Sequence, residues 1–444
     1  MELIANDRLM SYINEVCSQV KFREVHREIE LELKIHLQET VEEYLAEGFS
    51  EDEAVNKALT QMGNADRIGK QLNKVHQPKP EWSILVLSLF FVSLGLLAMF
   101  FIEKQGLLGF TPGPVPILFI KSCIFAIIGA AIITGLYLFD FRKIEPYSGH
   151  IYWGTVLMLV LSVFTGQPVN STNYLTLGPV SINFVEISPL LLSIALAGIL
   201  HKWDWDKPKQ MLQGLLLCVV PLLLILACSS LTAAIIYAAV CITLMFVSGA
   251  KPRAFLTLTS LVSGIFVFLI INTPYRLQRF MAFINPEKDP SGAGWLNLQL
   301  SQLINGSGSF GQGLTEKPDF VPGLHTEFVF SYLTFSFGWV AVGVLIALIV
   351  LFIARMARVA VMVKNNYARL VLSGFTAIFA VQFIWNIGMN LGFAPISGVG
   401  LPFVSYGGSQ LIFNAAALGI MSSIYRRRNI LQTLISHKGP KSNY

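Results

Sequence analysis

The stretch SILVLSLFFVSLGLLAMFFI, residues 83–102, decides the fold class of this chain. Its 20 residues carry no charge, and a helix of about 20 apolar residues spans the hydrocarbon core of a membrane. Further uncharged runs lie at 122–139, 151–185, 210–250, 254–275, 328–354 and 370–425. Only 13% of the 444 residues are charged and 54% are hydrophobic, whereas soluble domains carry about 25% charged residues. A wholly soluble protein is therefore excluded.

Several of these runs are too long for one helix, and they divide at polar or Gly/Pro-rich points. We therefore predict an all-α polytopic membrane protein with about ten transmembrane helices. The predicted spans are 83–102, 117–139, 151–165, 182–200, 211–227, 231–249, 254–272, 328–353, 370–391 and 407–425. The third and fifth spans are short, so they need helix tilt or local thinning of the bilayer.

The beginning of the chain differs from the rest in charge. Residues 1–81 have a net charge of −6, whereas residues 82–444 have a net charge of +11. The formal charge of +5 is thus a difference between two parts, and it does not indicate a nucleic-acid partner.

The acidic part has the pattern of a small helical bundle. Apolar residues recur every four positions from Val25 to Val41, which predicts an amphipathic helix. Gly48 is placed to end that helix, and Ser50 with Glu53 forms a capping box for the next one. The stretch EGFSEDEAVNKALTQMGN resembles a helical prefix domain found ahead of some bacterial permease-like membrane proteins. We predict a cytoplasmic helical domain at 1–77 with a docking or regulatory role, a linker at 78–81, the membrane domain at 82–428, and a tail at 429–444.

Positive charge predicts the orientation. If the N-terminal part is cytoplasmic, the short inner segments carry 16 Lys and Arg residues and the outer positions carry six. The inner segments are 140–150, 201–210, 251–253, 355–369 and 426–444. We therefore predict that both termini are cytoplasmic.

The long loop 273–325 lies outside in this topology. It runs for 53 residues without strong strand or helix periodicity, and a loop of this length is usually functional. His325 and Glu327 follow where the chain re-enters the membrane in PGLHTEFVF, and Thr326 is placed to cap the next helix. Partial desolvation would raise the pKa of Glu327 toward the range of a general base. The alternative is that Glu327 only favours the helix N-terminus through the helix dipole.

Other charged residues also have two interpretations. Arg276 and Arg279 lie three apart on one helical face, where they suit bidentate binding of a phosphate. The alternative is anchoring to lipid headgroups. Glu186 is the only carboxylate inside a predicted span, so it is a functional candidate. The alternative is a structural hydrogen bond between helices.

Two irregular segments interrupt the apolar pattern. GSGSFGQGL at 306–314 lacks the GK[ST] ending of a phosphate loop, and we predict a flexible turn. APISGVGLPFVSYGGSQ at 394–410 contains Pro395 and Pro402, which do not fit a helix interior. Broken backbone at membrane depth normally lines a cavity, which serves an enzyme or a transporter equally well.

Four segments together resemble the SEDS family, the FtsW/RodA/SpoVE group of bacterial cell-wall proteins, over about residues 82–428. The segments are YRLQRFMAFINPEKDPSGAGW, GSGSFGQGL, HTEFVF and WNIGMNLGFAPISGVGLPFVSYGGSQ. The resemblance implies a peptidoglycan glycosyltransferase that polymerises lipid II at the outer face of the bacterial cell membrane. It also implies a class B penicillin-binding protein as partner.

The resemblance assigns roles to residues. The essential aspartate of the family's H-T-D-F motif corresponds to Glu327, which we predict to be the catalytic base. The predicted substrate-binding residues are Arg276, Arg279, His325, Thr326, Glu186, Ser405 and Tyr406. Arginine side chains or a divalent cation, Mg or Mn, would neutralise the leaving diphosphate. We predict no metal ligands in the protein.

The chain also departs from the family pattern. Phe335 and Ser336 stand where the family often has a Glu-Glu pair, and Pro189 stands at a lysine position. The family's Q-P-D-L-G-T-A reads ACSSLTA at 227–233, so an acidic residue is missing. These differences indicate a divergent paralogue. Two alternatives remain, namely a flippase or transporter of lipid-linked precursor and a catalytically silent scaffold.

Overall fold

A computed structural model of the chain describes residues 7–75, 77, 80–108, 117–169, 172–177 and 180–428. Contacts divide the chain into two compact units. The first comprises residues 1–80 with 425–444, and the second comprises residues 81–424.

Within its described residues 7–75, the first unit contains four α-helices around one apolar core. They are α1 (Asp7–Ser18), α2 (His26–Ala46), α3 (Glu51–Met62) and α4 (Ala65–Val75). The stop at Gly48 is confirmed, because Gly48 follows α2 with φ of 94°. The capping box is also confirmed, since the Glu53 carboxylate accepts hydrogen bonds from the backbone N–H and the hydroxyl of Ser50. Helix α1 was not predicted from the sequence.

The described part of the second unit consists mainly of helices. They are α5 (Trp82–Lys104), α6 (Ile117–Leu138), α7 (Ser148–Thr165), α8 (Phe184–Leu200), α9 (Pro208–Ala227), α10 (Leu231–Val247), α11 (Pro252–Ile271), α12 (Pro274–Ile284), α13 (Trp295–Asn305), α14 (Val329–Met362), α15 (Asn366–Asn390) and α16 (Gly408–Arg426). Among the described residues, seven helices are long and apolar enough to cross a membrane, and α8 and α10 are shorter apolar helices. The predicted helical membrane fold is thus confirmed, while the count of ten spans stays a prediction.

Helix α15 lies at the centre of the second unit. It packs against α8, α10 and α14. Phe379 and Phe383 of α15 contact Phe352 of α14 edge-on, with ring centroids 5.8 Å and 6.1 Å away. In α6, by contrast, only 6% of the residues in the most apolar 18-residue stretch are buried. Apolar side chains on such an exposed helix suit contact with lipid.

Three short strands, which were not predicted from the sequence, connect α7 to α8. They are β1 (Gln167–Val169), β2 (Thr172–Leu177) and β3 (Val180–Ile182). They pair antiparallel in the order β1-β2-β3, with Gln167 opposite Tyr174 and Leu175 opposite Ile182.

The long connection 273–325 is more regular than the sequence suggested. It contains α12 and α13, each 11 residues long. Pro274 occupies the first turn of α12, where its missing N–H costs no hydrogen bond. The expectation of a loop without helix periodicity was therefore wrong, because two short helices give too weak a pattern to detect in 53 residues.

The segment 306–314 is a docked structure, so the prediction of a flexible turn was wrong. Helix α14 is broken at Gly338, which has φ of 78° and ψ of 175°. The segment fills this break with four backbone hydrogen bonds. They are Gln312 N to Phe335 O, Gly313 N to Ser336 O, Trp339 N to Gly308 O and Val340 N to Ser309 O, at 2.8 to 3.2 Å. The backbones approach so closely that a Cβ on Gly338 would lie 2.3 Å from the nitrogen of Gly311.

Candidate active site

Glu327 lies in a tight turn just before α14. The backbone N–H groups of Thr326 and Phe328 both donate to the carbonyl of Gly323, at 3.0 and 3.1 Å. Gly323 has φ of 81°, a conformation that other residues rarely adopt. The hydroxyl of Thr326 donates to the same carbonyl at 3.2 Å, and no side chain caps α14. The expectation that Thr326 caps this helix was wrong, because the turn needs its hydroxyl.

Two asparagine side chains of α15 bind the main chain of Glu327. Asn386 Nδ2 donates to the Glu327 carbonyl at 2.9 Å, and Asn390 Nδ2 donates to it at 3.2 Å. Both side chains are buried. Sequence reasoning missed them, although two asparagines four residues apart in an apolar helix are an available signal, since buried amides need specific partners.

The carboxylate of Glu327 is half-buried beside a glycine. A Cβ on Gly398 would lie 3.5 Å from Glu327 Oε1, so the segment 394–407 passes the carboxylate at close range. Burial raises the pKa of Glu327 above its ordinary value, and the nearby charge of Arg279 opposes that rise. A carboxylate with a raised pKa is a stronger base when it is ionised.

A crevice with mixed polar and apolar walls lies between α8, α10, α15 and α16. It encloses a cavity of about 60 Å³. Its polar side chains are Glu186, Thr232, Gln382, Gln410 and Asn414, and the backbone of 398–400 completes the wall. Glu186 belongs to the first turn of α8, where its N–H donates to Asn183 Oδ1 at 3.3 Å. Gly398 lines this crevice and also approaches Glu327 Oε1, so the structure brings the predicted site residues Glu186 and Glu327 into one neighbourhood.

Arg276 and Arg279 both lie on α12, on the helical face that their spacing predicts. The guanidinium of Arg279 stacks on the Tyr275 ring at 4.7 Å. Arg279 also lines a cavity of about 270 Å³ with Ile396 of the segment beside Glu327. Arg276 is half-buried, and burial lowers its pKa. Of the two arginines, Arg279 is the one whose charge opposes the rise in the pKa of Glu327.

His325 and Tyr406 are neighbours. Tyr406 N donates to the His325 carbonyl at 2.9 Å, and the two rings lie 6.0 Å apart. Burial lowers the pKa of His325 below its usual value, so this imidazole is neutral at pH 7. The hydroxyl of Ser405 accepts a hydrogen bond from Leu401 N at 2.7 Å. This hydrogen bond stabilises the turn 401–405. A contact of Ser405 with substrate stays a prediction.

The segment 394–407 carries backbone strain. Phe403 has φ of 66°, which is unfavourable for a bulky residue and is typical of positions that the surrounding structure fixes. Its ring stacks on Phe379 at 5.4 Å with an interplanar angle of 22°. The aromatic core of the helices therefore holds this segment against Glu327.

The described residues contain no group of three His, Cys, Asp or Glu side chains that is arranged to hold a metal ion. The candidate site instead consists of the crevice that contains Glu186, the Glu327 carboxylate beside Gly398, and a second cavity that Arg279 lines.

These features define a multi-pass membrane protein with a half-buried carboxylate among broken helices. The profile of the FtsW/RodA/SpoVE family, described as "Cell cycle protein", matches residues 81–430, and the chain belongs to this family. A protein of Coxiella burnetii named "Probable peptidoglycan glycosyltransferase FtsW" is 30% identical over 318 residues, which are 69% of this chain and 86% of that protein.

Two solved structures are also similar. One comes from a study of the structural coordination of polymerization and crosslinking by a peptidoglycan synthase complex. Its TM-score is 0.66 and its sequence identity is 26%, and the match covers 79% of this chain and 98% of that chain. The other is the rod shape determining protein RodA of Thermus thermophilus, with a TM-score of 0.60, 25% identity and the same coverage.

Proposed function

We propose that this chain is a peptidoglycan glycosyltransferase that polymerises lipid II at the outer face of the bacterial cell membrane, with Glu327 as the general base. The observation that carries the proposal is the environment of Glu327. Its carboxylate is half-buried, its pKa is raised by burial, and it lies beside Gly398, which also lines the crevice that contains Glu186. Membership of the FtsW/RodA/SpoVE family supports the same activity.

In the proposed reaction, Glu327 removes the proton from a hydroxyl of the acceptor sugar. The oxygen attacks the anomeric carbon of the donor, and a new glycosidic bond forms as the bond from that carbon to the diphosphate breaks. The proton stays on Glu327 and is later released to water, while the lipid diphosphate leaves. No nucleotide is required, because the donor is already activated as a diphosphate.

The leaving diphosphate needs positive charge near it. Arg279 suits this role, because it lines a cavity near Glu327 and its guanidinium is oriented by the Tyr275 ring. Arg276 would add a second charge from the same helix. Mg or Mn would supply further charge, and with no protein cluster for a metal among the described residues, the diphosphate oxygens would provide most of its ligands.

The remaining substrate contacts come from the residues around Glu327. Glu186 lies in the crevice with amide side chains, and carboxylate and amide groups suit hydrogen bonds to sugar hydroxyls. His325, Thr326, Ser405 and Tyr406 lie along the turns next to the base. These roles all depend on an outward-facing site, with both termini cytoplasmic.

We also propose a class B penicillin-binding protein as the partner. The similar synthase complex couples polymerization with crosslinking, and a polymerase of this kind requires a crosslinking enzyme for its product.

A purified-protein assay tests the proposal. The full chain in detergent is mixed with lipid II, alone and with a class B penicillin-binding protein, and products are separated by gel electrophoresis. We expect glycan polymer. Since detergent leaves no membrane to cross, polymer would exclude both a pure flippase and a silent scaffold. Absence of polymer in both mixtures would refute the proposal, and movement of lipid II across vesicles would then favour the flippase.

A further inference from the structure

The side-chain amides of Asn386 and Asn390 are buried beside the main chain of Glu327. They are four residues apart in α15, so they share one face of the helix. Their exposed fractions are 0% and 2%. A buried amide is unfavourable unless its N–H groups find acceptors, so the acceptors that these two amides bind indicate what the residues do.

Asn386 Nδ2 has two acceptors, and Asn390 Nδ2 has three, one of which is Asn386 Oδ1 at 3.4 Å. Asn386 Nδ2 donates to the carbonyls of Glu327 and Val399, at 2.9 and 2.6 Å. Asn390 Nδ2 donates to the carbonyls of Glu327 and Asn386, at 3.2 and 2.8 Å. The Glu327 carbonyl thus receives two donors, which is the full capacity of its lone pairs. Rotation of either amide would leave buried polar groups without partners.

These bonds connect the main chain of Glu327 to the wall beside its carboxylate. Val399 directly follows Gly398, the residue whose Cα faces Glu327 Oε1. Asn386 therefore fixes the spacing between the turn that carries the carboxylate and the segment that passes it. Asn390 extends the connection to α14, because its Oδ1 accepts a hydrogen bond from the Ser331 hydroxyl at 2.6 Å.

We propose that Asn386 and Asn390 are positioning residues for the Glu327 carboxylate, holding it at the distance from the acceptor hydroxyl that proton transfer requires. The inference rests on the proposed function of Glu327. The two amides act through the main chain of Glu327 and of Val399, so they affect the rate of the chemical step more than the affinity for substrate. A misplacement of about 1 Å lowers a rate on the order of 100-fold.

The first experiment separates kcat from KM. Asn386→Asp keeps the shape of the side chain but replaces two donors with an acceptor that repels both carbonyls. We expect kcat of lipid II polymerisation to fall about 10- to 100-fold, with KM little changed. Thr376→Val is the matched control, since the Thr376 hydroxyl lies in the same helix and donates only to the Leu372 carbonyl of that helix. A merely structural role for Asn386 would lower the melting temperature and the active fraction without separating kcat from KM.

The second experiment does not depend on catalysis. Glu327→Cys is made alone, with Asn386→Asp and with Thr376→Val. The rate at which this cysteine reacts with a hydrophilic maleimide is measured, and the reaction of the five native cysteines in the unsubstituted chain is subtracted as background. We expect Asn386→Asp to change the rate several-fold and Thr376→Val to leave it unchanged. If the chain does not polymerise lipid II but the labelling rate changes, the proposed function fails and the positioning role stands. Unchanged labelling, or an unchanged kcat in an active enzyme, would overturn the positioning role.

Discussion

Gly338→Ala tests whether the break in α14 is required by the fold. At this position φ is 78° and ψ is 175°, a region that is essentially restricted to glycine. The added methyl group would also lie 2.3 Å from the nitrogen of Gly311 and 2.5 Å from the carbonyl oxygen of Ser309. Because these neighbours are backbone atoms, the clash cannot be relieved by a side-chain rotation.

The expected cost follows from two terms. Holding alanine in this backbone conformation costs about 1–3 kcal/mol. Displacing the segment 306–314 breaks four backbone hydrogen bonds, each with a net value of about 1 kcal/mol. We therefore expect a destabilisation of about 5–7 kcal/mol, which is a large part of the roughly 5–15 kcal/mol that typically stabilises a domain.

The assay combines thermal unfolding in detergent with limited proteolysis of the segment 306–314. Gly338→Ala is expected to lower the melting temperature strongly and to expose this segment to cleavage. Gly343→Ala is the matched control in the same helix, because nothing lies within 4 Å of its added methyl group. That change should be neutral, or stabilising by up to about 1 kcal/mol from helix propensity. Equal melting temperatures and equal cleavage for the two variants would refute the reasoning.

Three further predictions follow from the site and the topology. Burial raises the pKa of Glu327, and the charge of Arg279 opposes that rise. The acidic limb of the kcat/KM profile should therefore lie at a pH above the ordinary pKa of glutamate, and Arg279→Gln should move it to still higher pH. An acidic limb that Arg279→Gln does not move would contradict the assigned interaction between Arg279 and Glu327. In intact cells an impermeant thiol reagent should label Ser309→Cys but not Lys209→Cys, both of which are exposed positions. The reverse pattern would overturn the orientation. A chain that begins near Pro80 should retain polymerase activity in vitro, and loss of activity in a well-folded truncation would show that the N-terminal helices do more than dock or regulate.

The sequence predicted the apolar helices well because their signal is local. The span expected at 83–102 is the helix Trp82–Lys104, and the span at 211–227 is Pro208–Ala227. The helix that contains the predicted span 328–353 is longer than the span, since Val329–Met362 continues through Arg355 and Arg358. Charge ends a membrane-embedded stretch, but it does not end a helix.

The site was predicted less completely because its contacts are long-range. Motif residues such as Glu327 were identified from the chain, and so was the arginine pair of α12. The docking of 306–314 on Gly338 and the amides of Asn386 and Asn390 depend on segments that are remote in sequence. Thr326 is ambiguous even from its local sequence, because a threonine at this position can cap the helix or bond within the preceding turn. In the structure its hydroxyl bonds within the turn.

The activity of Glu327→Gln on purified lipid II tests the central claim most directly. Glutamine keeps the size and polarity of the side chain but cannot accept the proton, so polymerisation should fall at least about 100-fold with an unchanged melting temperature. Glu327→Asp, which has the side chain usual in the family, should retain partial activity, since it keeps the carboxylate on an arm shorter by one methylene. Full activity of Glu327→Gln would contradict the assignment of the base and would leave the scaffold as the better account of the chain.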